Sequence, residues 1–369
     1  MLKRLYIDNI RSFSNFTLEP ERVAVLVGPN GGGKSSVFRV LAALQEFLVA
    51  GQEATQVFGG SRTRWDERLD QKVELEAVGD NGVQFVYELA TVHSPDGRHV
   101  SVQNEQLRAD GKVIYRLTGG EVQLFGDKPS VKPSTAFPFV STRSFIPLLE
   151  DRPDNQLIMS FRRWLLGVWL FAIRPQGLSA TSDKEEASLV LDGTNFVSWY
   201  RVLSQEQPQV REQLLADLAP VISGLSEIRF AGGAGSSRKI LTLECRLSSG
   251  APLYSLTLGE LSDGQRALLV LYTIKHMIAR RASLLVFDEP DNFLAYSEIQ
   301  PWLSGIRESV LGGAATLLVI SHHPEVIDYL APDQVLKLWR EDGPTRVEEP
   351  KLDRSTGILA SEALRLESP

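Results

Sequence analysis

The sequence predicts an α/β protein with a mostly parallel core sheet, an antiparallel β lobe and a helical lobe. Three observations carry that prediction. In the last third, strand-like apolar runs at Ser283–Phe287 and Ala315–Ile320 follow helical stretches at Gly264–Arg280 and Glu298–Leu311. Such strand–helix alternation builds a parallel sheet. Between Lys72 and Gln123, apolar and polar residues alternate and Asp-Gly turns punctuate them, the pattern of antiparallel hairpins. Asn155–Ile173 and Asn195–Leu225 carry helical spacing, the second interrupted at Pro208 and Pro220.

Taken in order, residues 1–27 read as two or three strands, the last at Arg22–Val27, running straight into Gly28–Gly33. A helix follows over Lys34–Val49, with Val37, Val40, Leu41, Leu44 and Leu48 on one buried face. The β lobe takes Val73, Leu75 and Ala77, then runs at Val83–Val92, Val100–Leu107 and Val113–Leu117, with turns at Asp80–Gly82, Asp96–Gly97 and Asp110–Gly111. Pro129, Pro133 and Pro138 break the pattern. After the helical stretches a hairpin is expected at Ile228–Phe230 and Lys239–Leu247, with Gly232–Ser237 as its loop. One domain of three segments is expected, 1–150, 151–254 and 255–369.

Composition narrows the function classes. With 369 residues, 43% hydrophobic and 23% charged, the chain can build a large core. The longest apolar candidate, Trp164–Ile173, is bracketed by Arg162, Arg163 and Arg174 and falls short of the roughly 20 residues a span needs. No membrane association is expected. The opening residues alternate like a strand and lack the apolar centre of a signal peptide. The single cysteine, Cys245, suits a reducing compartment, so a cytoplasmic protein is expected. A net charge of −7 argues against a whole surface built for nucleic acid, leaving a local DNA contact open. The basic cluster Arg62, Arg64, Arg68 and Lys72 is interleaved with Asp66, Glu67 and Asp70, which cancel most of its field. The aromatic stretch Trp164–Phe171 reads as packing, and Gly232–Gly235 as a hairpin loop without a helix behind it.

The chemistry-bearing motif is Gly28-Pro29-Asn30-Gly31-Gly32-Gly33-Lys34-Ser35, followed by Ser36. It fits G-x-x-x-x-G-K-[ST] after a strand and before a helix, the context that motif requires. Glycines let the backbone N–H groups turn onto phosphate oxygens, and the helix dipole adds attraction. Lys34 is expected on the β- and γ-phosphates of ATP, and Ser35 on Mg²⁺.

Leu284–Phe287 is an apolar strand ending in Asp288 and Glu289. Asp288 is the expected Mg²⁺ support, and Glu289 the base or orienter of the attacking water. Leu261-Ser262-Asp263-Gly264-Gln265-Arg266 precedes a helix, and Ser262 and Gly264 leave N–H groups at its tip for an anion. Ser262 equally suits the N-cap of that helix, and both roles are compatible. A further strand, Leu317–Ile320, delivers Ser321 and His322 to the same sheet edge, where imidazole can meet a γ-phosphate or water. A metal site at His322 and His323 is not expected, because adjacent side chains on extended chain diverge.

These four elements, in this order, resemble the ABC-type ATPase superfamily, in the soluble branch shared by SMC, RecF-like and OLD-like proteins and labelled AAA family ATPase. The opening Leu5-Tyr6-Ile7-Asp8-Asn9-Ile10-Arg11-Ser12-Phe13 with Val25-Leu26-Val27-Gly28-Pro29-Asn30 is similar to that branch in particular. The resemblance implies that Arg11 lies near nucleotide. Leu261–Gln265 resembles the LSGGQ signature, with Asp263 in place of a glycine, and Gln265 joins Ser262 and Gly264 on the nucleotide. Asp288-Glu289-Pro290 resembles the second nucleotide motif, and His322 the switch histidine. Asp291–Tyr296 departs from the family's Glu-Asn-x-Leu-His-Pro, and Gln71 is the nearest candidate for its Q-loop glutamine. Sustained heptads and an Asp-x-Asp after His322 are lacking, so neither SMC arms nor a fused TOPRIM nuclease is expected. The resemblance implies Mg·ATP shared across a homodimer and a separate effector protein, as in bacterial anti-phage defence. The alternative is a DNA-repair or DNA-end-binding ATPase, and a transporter subunit fits less well.

Overall fold

A computed structural model describes residues 1–128, 132–232, 237–246, 253–277, 281–350 and 358–366. Pro129, Gly233–Gly235, Leu247 and residues 278–280 of the expected helix lie outside the described residues. The chain divides into two compact units. The first comprises Met1–Trp169, Ala282–Val286 and Ala314–Pro369, the second Leu170–Arg281 and Phe287–Gly313.

The first unit opens with β1 (Leu2–Asp8), β2 (Phe16–Leu18) and β3 (Val23–Val27), then α1 (Lys34–Leu48) and α2 (Ala54–Phe58). All five predicted apolar positions of α1 are buried. Next come β4 (Asp70–Val78), β5 (Gln84–His93), β6 (Val100–Ala109), β7 (Lys112–Thr118), β8 (Glu121–Leu124) and β9 (Thr135–Pro138). They form an antiparallel sheet ordered β2-β1-β4-β5-β6-β7-β8-β9. The alternation read from the sequence is that sheet's inside–outside alternation: Val73, Leu75, Phe85, Tyr87 and Leu89 face inward. Helix α3 (Gln156–Leu166) lays Phe161 on Phe85 and Tyr87, ring centroids 5.5 and 5.7 Å apart.

The expected helix over Asn155–Ile173 is too long. It stops at Gly167, and Val168–Phe171 forms β10 instead. Gly167 ends the helix, and the β-branched and aromatic run after it suits a sheet. Beyond β10 lie β11 (Thr181–Ser182), α4 (Phe196–Glu206), α5 (Pro208–Leu218), β12 (Leu225–Ala231), β13 (Lys239–Cys245), β14 (Tyr254–Thr257) and α6 (Asp263–Met277). The helical stretch predicted to Leu225 breaks at Pro208 and ends at Leu218, so Leu225 opens a strand. The predicted hairpin gains two partners: β11 and β14 both pair with β13. In the second unit Trp302 donates its indole N–H to Leu271 O at 2.8 Å and packs edge-on against Phe287.

The chain completes its elements with β15 (Leu284–Asp288), α7 (Tyr296–Leu311), β16 (Thr316–Ile320), α8 (Pro324–Leu330), β17 (Val335–Trp339), β18 (Arg346–Glu348) and α9 (Ala360–Leu366). The core sheet is ordered β10-β15-β16-β3-β17-β18. Strand β3 runs parallel to both β16 and β17, while β17 and β18 form an antiparallel edge. The two sheets of the first unit are tied where Leu2 N–H donates to Thr316 Oγ1 at 3.0 Å. Among the described residues no helix is long and apolar enough to cross a membrane.

Candidate nucleotide site

Every residue of β3 is buried, and the chain leaves it directly into the glycine loop. Gly28 has φ +134°, and a Cβ there would overlap the Leu338 carbonyl of β17. Gly33 has φ +108° and approaches Thr345, whose Oγ1 would sit 2.5 Å from an added Cβ. No side chain caps α1, and its first turn holds no acidic residue. Its first N–H groups therefore meet incoming charge with the positive end of the dipole. Lys34 is 5% exposed and arches over the loop, donating from Nζ to Gly28 O at 2.8 Å and Pro29 O at 3.1 Å. Burial of a primary ammonium is costly unless oxygens surround it, which this loop provides.

Arg11 sits at the tip of a tight turn with φ +56°, closed by paired hydrogen bonds between Ile10 and Phe13. Its N–H donates to Ser61 O at 2.6 Å. Burial, with the Arg39 charge beside it, holds the Arg11 guanidinium below its ordinary value. The neighbouring Ser12 accepts from Thr345 N–H at 2.8 Å and from Thr345 Oγ1 at 2.8 Å. Thr345 is also the residue against Gly33. The turn carrying Arg11 is thus linked to the phosphate loop through one buried threonine.

His322 arrives at the same edge because β16 and β3 run parallel in register, Ile320 beside Leu26. It shares a cavity of about 580 Å³ with Gly28, Pro29, Trp339 and Arg340. Within the first unit, therefore, Gly28–Ser36, Arg11 and His322 converge.

The remaining predicted residues lie in the second unit. Asp288 ends β15, and Glu289 follows with φ +53°, a conformation costing a non-glycine residue roughly 1–2 kcal/mol. Asn292 Nδ2 donates to Glu289 Oε2 at 2.8 Å, and its N–H to Glu289 O at 3.2 Å. Asn292 thus closes a turn back onto Glu289 and holds its carboxylate. Gly264 is a glycine for packing reasons: a Cβ would meet Phe293 O at 2.9 Å. The tip of α6 and the Glu289 turn are thereby packed together.

Ser262 is the N-cap of α6. Gln265 N–H donates to Ser262 Oγ at 3.2 Å and Ser262 N–H donates to Gln265 Oε1 at 3.1 Å, a reciprocal capping box. Asp263, the residue in place of a glycine, accepts from Gln176 Nε2 at 2.7 Å and from Arg266 Nη1 at 3.5 Å. Gln71 is 2% exposed in β4, and its amide donates to Asn9 O and Ser61 Oγ, beside the turn that carries Arg11.

One side chain at the loop, Arg340, carries no local sequence signal. Arg340 lines a cleft of about 270 Å³ with Pro29, Asn30, Gly31, Gly32 and Asp342. It also places its guanidinium 4.6 Å from the Trp65 ring centroid. In the basic cluster nearby, Arg68 pairs with Asp8 at 2.8 Å and Asp66 at 2.6 Å, and Lys72 with Glu74 at 2.5 Å. Among the described residues no group of three His, Cys, Asp or Glu is arranged to hold a metal. Mg²⁺ does not need one, since it takes one or two carboxylates, phosphate oxygens and waters. The Ser35 hydroxyl and Asp288 carboxylate are hard oxygen donors of the type it prefers.

The family model for an AAA domain matches residues 4–48, the segment from β1 through the phosphate loop and α1. No curated protein matches the chain in sequence. Among solved structures, an SMC head bound to the C-terminal winged-helix domain of ScpA is 15% identical, with TM-score 0.57, covering 97% of this chain and 99% of that one. An SMC head with an extended coiled coil, bound to the C-terminal domain of ScpA from Pyrococcus furiosus, is 12% identical, with TM-score 0.52. It covers 96% of this chain and 98% of that one.

Proposed function

This chain has the ABC-type fold of an SMC head, and from that premise we propose that it is an ATPase whose sites are shared between two copies. The observation that carries the reading is the loop Gly28–Ser35, where three positive-φ glycines, an uncapped helix tip and the arched Lys34 form an anion cradle. Gly28, Pro29, Asn30, Gly31, Gly32, Gly33, Lys34, Ser35 and Ser36 bind the phosphates, and Arg11 adds charge beside them. Ser35 and Asp288 are the residues that would hold Mg²⁺, which would supply charge neutralisation at the phosphates. Glu289 orients the attacking water for in-line displacement at the γ-phosphorus, accepting its proton as the bond to the β-bridging oxygen breaks. His322 hydrogen-bonds the charge developing on the γ-phosphoryl group.

Ser262, Gly264 and Gln265 complete the site from a second copy. Their helix tip is oriented for an anion by its dipole, and in the capping box Ser262 and Gln265 are mutually engaged. ATP then favours the dimer because it touches both copies, and hydrolysis releases them. A separate effector protein, in the setting of anti-phage defence, fits a head with no long arm helix among the described residues; the solved heads bound to ScpA support a protein partner. The charge pattern around Arg68 gives DNA no comparable support.

Replacing Glu289 with Gln tests the reading. The variant should bind ATP with unchanged affinity, lose at least about 100-fold in turnover, and accumulate as a dimer on size-exclusion chromatography with Mg·ATP. A variant that stays monomeric at saturating ATP would overturn the shared site.

A further inference from the structure

The hairpin between β17 and β18 ends on Thr345, a residue only 1% exposed. Its amide donates to Ser12 O at 2.8 Å, and its hydroxyl donates to Ser12 Oγ at 2.8 Å. The same side chain lies against Gly33, where an added Cβ would come within 2.5 Å of Oγ1 and 2.8 Å of Cγ2. One threonine therefore touches both the last glycine of the phosphate loop and the residue after Arg11. The hairpin that carries it is itself fixed, since Arg340 donates Nε–H to Gly343 O at 2.9 Å.

The β lobe grips the same turn from the other side. Arg11 N–H donates to Ser61 O at 2.6 Å, and Gln71 Nε2 donates to Asn9 O at 2.9 Å. Asn9 and Arg11 both have φ +56°, a left-handed conformation that persists where surrounding contacts over-determine it. Arg11 also stands beside the like charge of Arg39. A guanidinium next to a second cation gains by moving away, so the place of Arg11 is set by the backbone beneath it.

We propose that Thr345 is a positioning residue that sets Arg11 against the bound triphosphate, acting through its hydrogen bonds to Ser12. This rests on the reading of Gly28–Ser35 as a triphosphate cradle with Arg11 beside it, and adds what keeps Arg11 in place. The contact with Gly33 fixes Thr345 relative to the loop, and the bonds to Ser12 fix the turn relative to Thr345.

A double-mutant cycle read by calorimetric titration with Mg·ATP tests the proposal. Thr345→Val has nearly the same shape and removes only the hydroxyl; it should weaken Mg·ATP by roughly 2- to 10-fold, within the net worth of one hydrogen bond. Thr345→Ser keeps the hydroxyl and should bind like the parent. Ser12→Ala removes the same bond from its other end and should reproduce the valine loss, whatever the packing at Gly33. In an Arg11→Ala background, Thr345→Val should cause no further loss, because its effect passes through that guanidinium. Losses that multiply with those of Arg11→Ala, a serine variant as weak as valine, or a lowered melting temperature with ATP affinity unchanged would each overturn the positioning role while sparing the cradle. Parent-like ATP binding by Arg11→Ala would overturn it too. If the parent chain does not bind Mg·ATP, the cradle reading fails and the proposal with it.

Discussion

A methyl group added at Gly28 would run into the backbone carbonyl of Leu338, whereas at Gly31 it would meet nothing within 4 Å. Both glycines have positive φ, +134° and +78°, yet only the second angle lies near the left-handed helical region open to other residues. Gly31→Ala should therefore cost roughly 1 kcal/mol, seen as a melting point lower by a few degrees, with triphosphate still bound. Gly28→Ala must move β17 or the loop itself and should abolish triphosphate binding in the same titration. Equal behaviour of the two variants would show that the loop relaxes freely and that its curvature is not imposed by β17. The residues of the cradle were readable because they are contiguous, and the motif states their chemistry. Arg340 and Thr345 were not, since their proximity to the loop arises from strand order. No local pattern marks them.

The β lobe contains a carboxylate that a sequence pattern describes only as one polar residue in an alternating strand. Glu105 of β6 is fully buried and accepts three hydroxyl hydrogen bonds, from Tyr87 at 3.1 Å, Tyr115 at 2.8 Å and Ser144 at 2.6 Å. Burial pushes its carboxyl up to about 7, and the three donors only partly offset that. A carboxyl raised on folding contributes its stability in the neutral form. The contribution is full below the unfolded value near 4.5, and is lost as pH rises through about 7. Glu105→Gln should flatten this part of the curve. The difference in unfolding free energy between parent and variant should change by on the order of 3 kcal/mol between pH 4.5 and pH 7.5, measured by urea denaturation. A difference that stays constant with pH would mean the carboxyl titrates alike in the folded and unfolded chain. Legibility at this scale follows period and length. The long alternating strands β4, β5 and β6 were plain, while four-residue β10 read as the tail of a helix, because a short apolar run has no period of its own. Gly167 was the available signal. The two-residue β11 had none.

For the whole molecule, each copy carries a net charge of −7, so bringing two together works against their mutual repulsion at low salt. In the proposed dimer, contacts to a shared nucleotide would have to outweigh that repulsion, which places the decisive test on a residue with no other charge-dependent duty. Ser262→Asp keeps the cap on α6, since aspartate caps as well as serine, and its charge suits the helix N-terminus. The variant should melt at or slightly above the parent temperature and bind ATP as a monomer. In the Glu289→Gln background it should fail to form the ATP-dependent dimer by light scattering, because a carboxylate would face the γ-phosphate. A dimer that persists unchanged would remove α6 from the interface. The order of motifs along the chain made the phosphate loop, the acidic strand end and the tip of α6 legible in the sequence, whereas the placement of β3 between β16 and β17 was not.

Strand β3, contributed by the first thirty residues, lies between β16 and β17, which are made some three hundred residues later. A ribosome therefore releases the glycine loop long before either flank of its supporting strand exists. The hairpins of the β lobe can close as they emerge, while five buried residues of β3 must wait unpaired. Nascent chains interrupted before Thr316 would carry every residue of the phosphate motif and no scaffold to shape it, exposing a sticky edge to quality-control machinery.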